Sequence, residues 1–259
     1  MMYNLHTHTY RCNHADGEDR EYIECAIKSG IKVLGISDHC PQFFPNTDYY
    51  SHFRMKPELA KEYVDSFRSL AKEYENDIKI LIGFETEYYP ATYDKLIDFF
   101  RELEIDYLIM GQHAIGNEHR EKQYYKGNRN GEDYLKKYVD QVIEGLEKGT
   151  FTYLAHPDLV DFQGDKNYYL KEMTRLCEKT KEMDIPLEYN MLGRFYERNY
   201  PNKTFWTIAK EVGNSVIIGF DAHTPSFMNN LELYKECCEQ LSKLGIIPMK
   251  FEDIKFRKV

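Results

Sequence analysis

No stretch of this 259-residue chain approaches the eighteen or more consecutive apolar residues of a membrane span. The start, "MMYNLHTH", lacks a basic region followed by an apolar one, so no secretory signal is visible and a cytoplasmic location is expected. The six cysteines (Cys12, Cys25, Cys40, Cys177, Cys237, Cys238) form no CxxC pair, and reduced thiols are the expectation. A positive excess is missing too. Lys and Arg total 34 against 43 Asp and Glu, and the net charge of -9 argues against nucleic acid or an anionic membrane as partner. No low-complexity linker or composition shift divides the chain, so one domain over residues 1–259 is expected. With 42% hydrophobic and 30% charged residues, it has ample material for a core.

Short apolar runs alternate with longer amphipathic stretches. The strand-like runs are "YNLHTH" (3–8), "KVLGISDH" (32–39), "IKILIGFETEYY" (78–89), "DYLIMGQHAI" (106–115), "FTYLAH" (151–156), "IPLEYN" (185–190) and "NSVIIGFDAH" (214–223). A weaker run, "IIPMK" (246–250), closes the series or simply ends it. Helices are predicted near 18–30, 57–75, 93–104, 131–148, 167–183, 203–212 and 228–244, several followed by a glycine. Seven strand–helix units with near-continuous apolar strands predict an α/β fold with a parallel sheet covered by helices. The length fits a closed barrel. A doubly wound open sheet is the competing architecture, and the placement of polar residues favours the barrel.

Each strand-like run ends in a residue able to hold a metal. The first gives His6 and His8, then His14 in the loop; the second Asp38 and His39; the third Glu85; the fourth His113. The fifth gives His156, the sixth Asn190, and the seventh Asp221 and His223. In a parallel barrel these C-terminal strand ends converge on one face. Residues i and i+2 of a strand share a side, so His6 and His8, or Asp221 and His223, can grip one ion together. Imidazoles with a few carboxylates suit zinc, iron or manganese better than calcium or magnesium. One ion takes about three to five protein ligands; the surplus here implies a multinuclear site, with Glu85 placed to bridge two ions. A single histidine ending a strand is ordinarily a structural residue, but that reading must hold separately at six histidines. His52 and His119 fall in loops outside the pattern, Cys12 and Cys40 are read as spectators, and Asp38 as a group that orients a neighbouring imidazole.

The motifs "HTH" with "NHADG", "SDH", "GFE", "GQH", "AHPDL" and "GFDAH", in this order, resemble the PHP (polymerase and histidinol phosphatase) family over essentially the whole chain. The resemblance implies a distorted (β/α)7 TIM-like barrel with three divalent ions (zinc, manganese or iron) at the C-terminal ends of its strands. It assigns His6, His8, Glu85 and Asp221 to the first ion, Glu85, His113 and His156 to the second, and His14, His39 and His223 to the third. The implied reaction is hydrolysis of a phosphate monoester by a metal-bridging hydroxide, with Glu85, Asp221, His223 and Arg194 as catalytic residues.

Within the family, the long insertion between "SDHCP" and "GFE" and the sixth-strand segment "LEYNMLGRF" resemble relatives that hydrolyse L-histidinol phosphate. The latter segment is similar to their "E-x-N-x-x-G" stretch. The substrate is thus expected to be a small-molecule phosphate ester. Arg194 is the expected phosphate fork, and Arg54 has a counterpart in those relatives' substrate loop. Glu87, Asp158 and Asp161 are the expected acidic contacts for a cationic substrate. The loop after the fifth strand, "HPDLVDFQGD", is acidic where some histidinol phosphatases carry a basic residue. The alternatives are a phosphoesterase acting on nucleotides and, from another class, a non-catalytic metal-binding module.

Overall fold

Seven strands run parallel in the order β1-β2-β3-β4-β5-β6-β7, each beside its neighbour in sequence. They are β1 (Tyr3–Asn4), β2 (Val33–His39), β3 (Lys79–Thr86), β4 (Tyr107–Met110), β5 (Tyr153–Leu154), β6 (Leu187–Asn190) and β7 (Val216–Gly219). The computed structural model describes residues 1–44, 47–118 and 131–259; His119 lies outside them. The curved sheet is nearly closed. Its first and last strands touch through a single parallel bridge, Thr7 to Ala222, where His8 N donates to Ala222 O (2.9 Å) and Ala222 N to His6 O (3.2 Å). The barrel expectation therefore holds, and the open doubly wound sheet does not. Among the described residues no helix is long and apolar enough to cross a membrane.

The described helices α1 (Asp19–Lys28), α2 (Ala60–Glu73), α3 (Tyr93–Glu102), α4 (Glu132–Leu146) and α5 (Lys166–Glu182) follow the predicted spans, a short α6 (Met191–Phe195) falls outside them, and α7 (Lys203–Val212) and α8 (Leu231–Lys243) again follow them. Their apolar stripes pack outside the sheet: Phe67 of α2, Phe100 of α3, Leu135 of α4 and Trp206 of α7 are all buried there. A smaller cluster fills the barrel interior, with Leu5, Val33, Tyr107, Ile109, Tyr153 and Ile217. Tyr107 and Tyr153 both donate their hydroxyls to Leu5 O, at 2.8 and 3.0 Å. These bonds satisfy a carbonyl left over where β1 breaks. The "IIPMK" run adds no strand. Its Met249 N donates to Val216 O, and the segment then carries Ile254 and Phe256 against the interior cluster.

The break in β1 places the first ligands. Asn4 takes the role of the interrupted ladder, accepting from His6 N and Phe220 N and donating to His6 O and Thr7 Oγ1. The side-chain alternation resets across Leu5–His6. Leu5 faces the interior cluster, and His6 and His8 face the mouth above it.

Candidate metal centre

At the C-terminal end of the barrel seven histidines and two carboxylates converge around β3. Glu85 is 1% exposed and its two oxygens look in different directions. Oε2 lies 3.6 Å from both His6 Nε2 and His8 Nε2, and 2.9 Å from His39 Nδ1. Oε1 lies 2.8 Å from His156 Nε2 and 3.5 Å from His113 Nε2. Asp221 completes the first group, with Oδ1 3.5 Å from His6 Nε2 and 3.0 Å from His8 Nε2. His14 stands above them, its ring 5.1 Å from that of His39 and 4.9 Å from that of His223. All nine residues expected as ligands thus meet in one mouth.

Local backbone aims several of these side chains. His156 and Asp221 both adopt positive φ (29° and 56°), a conformation non-glycine residues rarely hold without a surrounding constraint. Gly111 and Gly219 leave room on either side. A β-carbon at Gly111 would overlap the Glu85 carboxylate, and one at Gly219 would overlap Glu188. The glycines of "GQH" and "GFDAH" are therefore packing requirements of two buried acids.

Behind the nine stands a layer of carboxylates and amides that fixes ring orientations. His6 Nδ1 pairs with Glu188 Oε1 at 2.8 Å, leaving Nε2 for the centre. Glu188 is fully buried and also accepts from His156 N (3.0 Å) and Asn190 Nδ2 (3.1 Å). Asn190 donates to Asp221 Oδ2 as well. Asp38 receives the Thr9 hydroxyl and lies 3.5 Å from His8 Nδ1. His14 and His223 point Nδ1 at the backbone carbonyls of Cys12 and Asp221, both at 2.9 Å.

The electrostatics suit a cation. Burial alone would raise the Glu85 carboxyl, but His39, His113 and His6 outweigh it and hold the group well below the usual range. Burial lowers His39 to about 4 and holds His223 well below the usual imidazole range, so both offer neutral nitrogens. At His6 burial is overcome by Glu188, Asp221 and Glu85, which push it up to about 10. Negative charge at this point is therefore in excess and attracts a positive charge. A direct test of fit is hydrogen bonding. His6 Nε2, both ring nitrogens of His8, Glu85 Oε2 and His156 Nδ1 are buried and make no hydrogen bond. Side chains this polar are rarely left so unless an ion or water takes their lone pairs. The triads His6–His8–Asp221, His6–Glu85–His156 and His8–His39–His223 each bring one ligand atom per residue within 4.8 Å of the others, and this donor set fits transition-metal divalent ions.

The family model for the PHP domain matches residues 4–191. The chain belongs to the PHP domain family. This PHP domain is 27% identical over 228 residues to a Deinococcus radiodurans protein described as "Probable histidinol-phosphatase", covering 85% of each chain. It is 24% identical to a Schizosaccharomyces pombe protein of the same description, covering 95% of this chain and 88% of the relative. Its fold is shared with the histidinol phosphate phosphatase of Lactococcus lactis, solved in complex with zinc, L-histidinol and phosphate. That match has a TM-score of 0.67 at 18% identity and covers 91% of this chain and 93% of the other.

The remaining residues expected at the site take varied positions around a cavity of about 620 Å³. Arg54 and Glu87 line it but are bound to each other. Arg194 lies exposed on α6 and is not among the lining residues, whereas Arg198, one turn later, lines the cavity with Tyr196 and Tyr200. Asp158 is 1% exposed and faces away from the opening, accepting from Trp206 Nε1 (3.1 Å) and Asn202 N; burial pushes its carboxyl up to about 7. Asp161 sits half-buried beside Gln163, and it too is absent from the lining. Cys12 lies 4.0 Å from His14 Nε2, and burial, pushing its thiol up to about 11, keeps it neutral.

Because so many donors face one another, added metal is expected to stabilise the PHP domain strongly. Zinc or manganese at a thousandfold excess over its dissociation constant contributes about 4 kcal/mol, or roughly 10 °C in Tm for a chain of this size. Differential scanning fluorimetry of chelator-treated protein with metal added back measures it; a shift below about 2 °C would count against a multinuclear centre.

Proposed function

We propose that this PHP domain is a metal-dependent phosphomonoester hydrolase whose substrate is L-histidinol phosphate, released as L-histidinol and phosphate. The observation that carries the hydrolase reading is the two-sided Glu85, which serves two groups of ligands at the floor of an open cavity. The substrate reading is supported by the relatives described as histidinol-phosphatases. His6, His8, Glu85 and Asp221 would hold one ion, Glu85, His113 and His156 a second, and His14, His39 and His223 a third. Bound divalent ions lower the pKa of coordinated water and neutralise charge on phosphoryl oxygens.

The chain's own part is placement. Glu188 holds His6 in one orientation through its Nδ1 hydrogen bond, and Asn190 steadies Asp221. Arg198, at the cavity wall, is the cation we assign to the phosphate in place of Arg194. Its Nη1 donates to Tyr200 Oη at 2.7 Å, which sets the direction of the fork. Phe53 and Tyr196, both about half exposed, stand at the opening and offer faces to the substrate's imidazole.

Phosphate release from L-histidinol phosphate, compared with nucleotides and sugar phosphates in the presence of manganese or zinc, tests the assignment. Preference by a hundredfold or more in kcat/KM is expected. Activity confined to other esters would discard the substrate, and no release with metal bound would discard the hydrolase. Arg198→Ala is expected to lower kcat/KM about 10²-fold, and Arg194→Ala less than about threefold. The reverse order would return the phosphate contact to α6.

A further inference from the structure

Arg54 is the most heavily engaged cation at the site. Its side chain is 4% exposed although it borders the cavity. Nη1 donates to Glu87 Oε2 at 2.8 Å and to Cys40 O at 3.2 Å. Nη2 donates to Glu87 Oε1 at 2.9 Å and to Glu118 Oε2 at 2.6 Å, and Nε reaches the same Glu118 oxygen at 3.1 Å. All five N–H groups of a guanidinium are thereby used within the protein. Glu118 is itself held by the hydroxyls of Ser51 and Tyr49. An arginine in this state has no donor to offer a phosphate without giving up a buried partner.

Glu87 Oε1 has a second neighbour: His113 Nδ1, at 2.9 Å. A carboxylate there accepts a hydrogen bond from Nδ1–H, keeps the proton on that nitrogen and leaves the Nε2 lone pair facing Glu85 Oε1, 3.5 Å away. Two carboxylates against one guanidinium leave this group with one net negative charge, which strengthens His113 as a donor. We propose that Arg54 is a positioning residue, acting through Glu87 to fix His113 toward the centre, and not a contact for the substrate phosphate. The relay also connects elements. Arg54 follows β2, Glu87 follows β3 and His113 follows β4, so the three strand ends are held at one spacing. The proposal rests on the metal-centre reading above.

Arg54→Lys keeps the charge and loses the fork; Glu87→Gln keeps the shape and loses the charge. Metal retained per chain and the apparent dissociation constant for zinc, by competition with a chromophoric chelator, are measured for wild type, both single variants and the double variant. Inhibition by inorganic phosphate is measured on the metal-saturated proteins, and melting temperatures are recorded throughout. Each single variant is expected to bind its most weakly held zinc about 10- to 100-fold less tightly. The double variant should be no worse than Glu87→Gln alone, since Arg54 acts through Glu87. The phosphate inhibition constant of Arg54→Lys should stay within about threefold of wild type. Unchanged zinc affinity with a tenfold weaker phosphate inhibition constant would overturn the proposal and make Arg54 a substrate contact. Additive losses in the double variant would overturn the relay. If Arg54→Lys does not fold, Glu87→Gln decides alone, and unchanged zinc binding there overturns the proposal. Failure of wild type to bind zinc would instead remove the metal reading.

Discussion

Glutamine in place of Glu85 is expected to lower kcat/KM for the phosphate ester by at least about 10³-fold and to release metal from the protein. The amide has the size of the carboxylate, so the buried pocket is still filled. What changes is charge and polarity: one of the two atoms becomes a donor. Oε2 faces His6, His8 and His39, and Oε1 faces His156 and His113. Whichever way the amide turns, its NH2 meets one group of histidines where a lone pair is needed. Steady-state kinetics with metal analysis of the purified variant measure both effects, and an unaltered far-UV circular dichroism spectrum separates them from unfolding. Turnover within tenfold of wild type at full metal content would refute the bridging role.

Alanine at Gly111 is expected to lower kcat/KM by about 10²-fold or more through a single added methyl group. The new carbon would occupy the volume of the Glu85 carboxylate, and both are held by paired strands, β3 and β4. Overpacking of this kind costs about 1–3 kcal/mol of stability, and displacement of a reacting group by about 1 Å costs on the order of 10²-fold in rate. Gly30→Ala is the natural control. Gly30 also has a special backbone, φ 78°, but nothing lies within 4 Å of a β-carbon there. It should lose about 1 kcal/mol of stability and keep full activity. Equal activity in the two variants would show that the close approach at Gly111 has no role in holding Glu85.

Much of this arrangement can be read from residue order, because a parallel barrel turns sequence period into spatial convergence. His6, His8, Glu85, His113, His156 and Asp221 each end or follow an apolar run, and that position alone brings them to one face. Glu188 stands two residues before Asn190 and so shares its strand face, but a glutamate inside a strand has no local signature of the histidine it supports, which follows β1. Arg198 was hidden by α6, a five-residue helix too short to leave a periodic signature. It carries Arg194 onto an exposed flank and delivers the later arginine to the opening. The role of Arg54 is likewise absent from local pattern, since its partners Glu87 and Glu118 come from distant parts of the chain. The break in β1 depends on Asn4 bonding to its own neighbours and to Phe220 across the barrel, which no spacing rule announces.

The single bridge between Thr7 and Ala222 has a consequence for biosynthesis. His6 and His8 flank one side of it, and Asp221 and His223 flank the other. A growing chain therefore carries His6 and His8 long before Asp221, one of the two carboxylates that face them, is made with the seventh strand. Contacts this remote in sequence form late, because a long loop must be closed before they are rewarded. Closure of the barrel then brings the last members of the histidine and carboxylate cluster together, and a partly synthesised chain holds an incomplete set of them. Competence is conferred last, on the complete sheet.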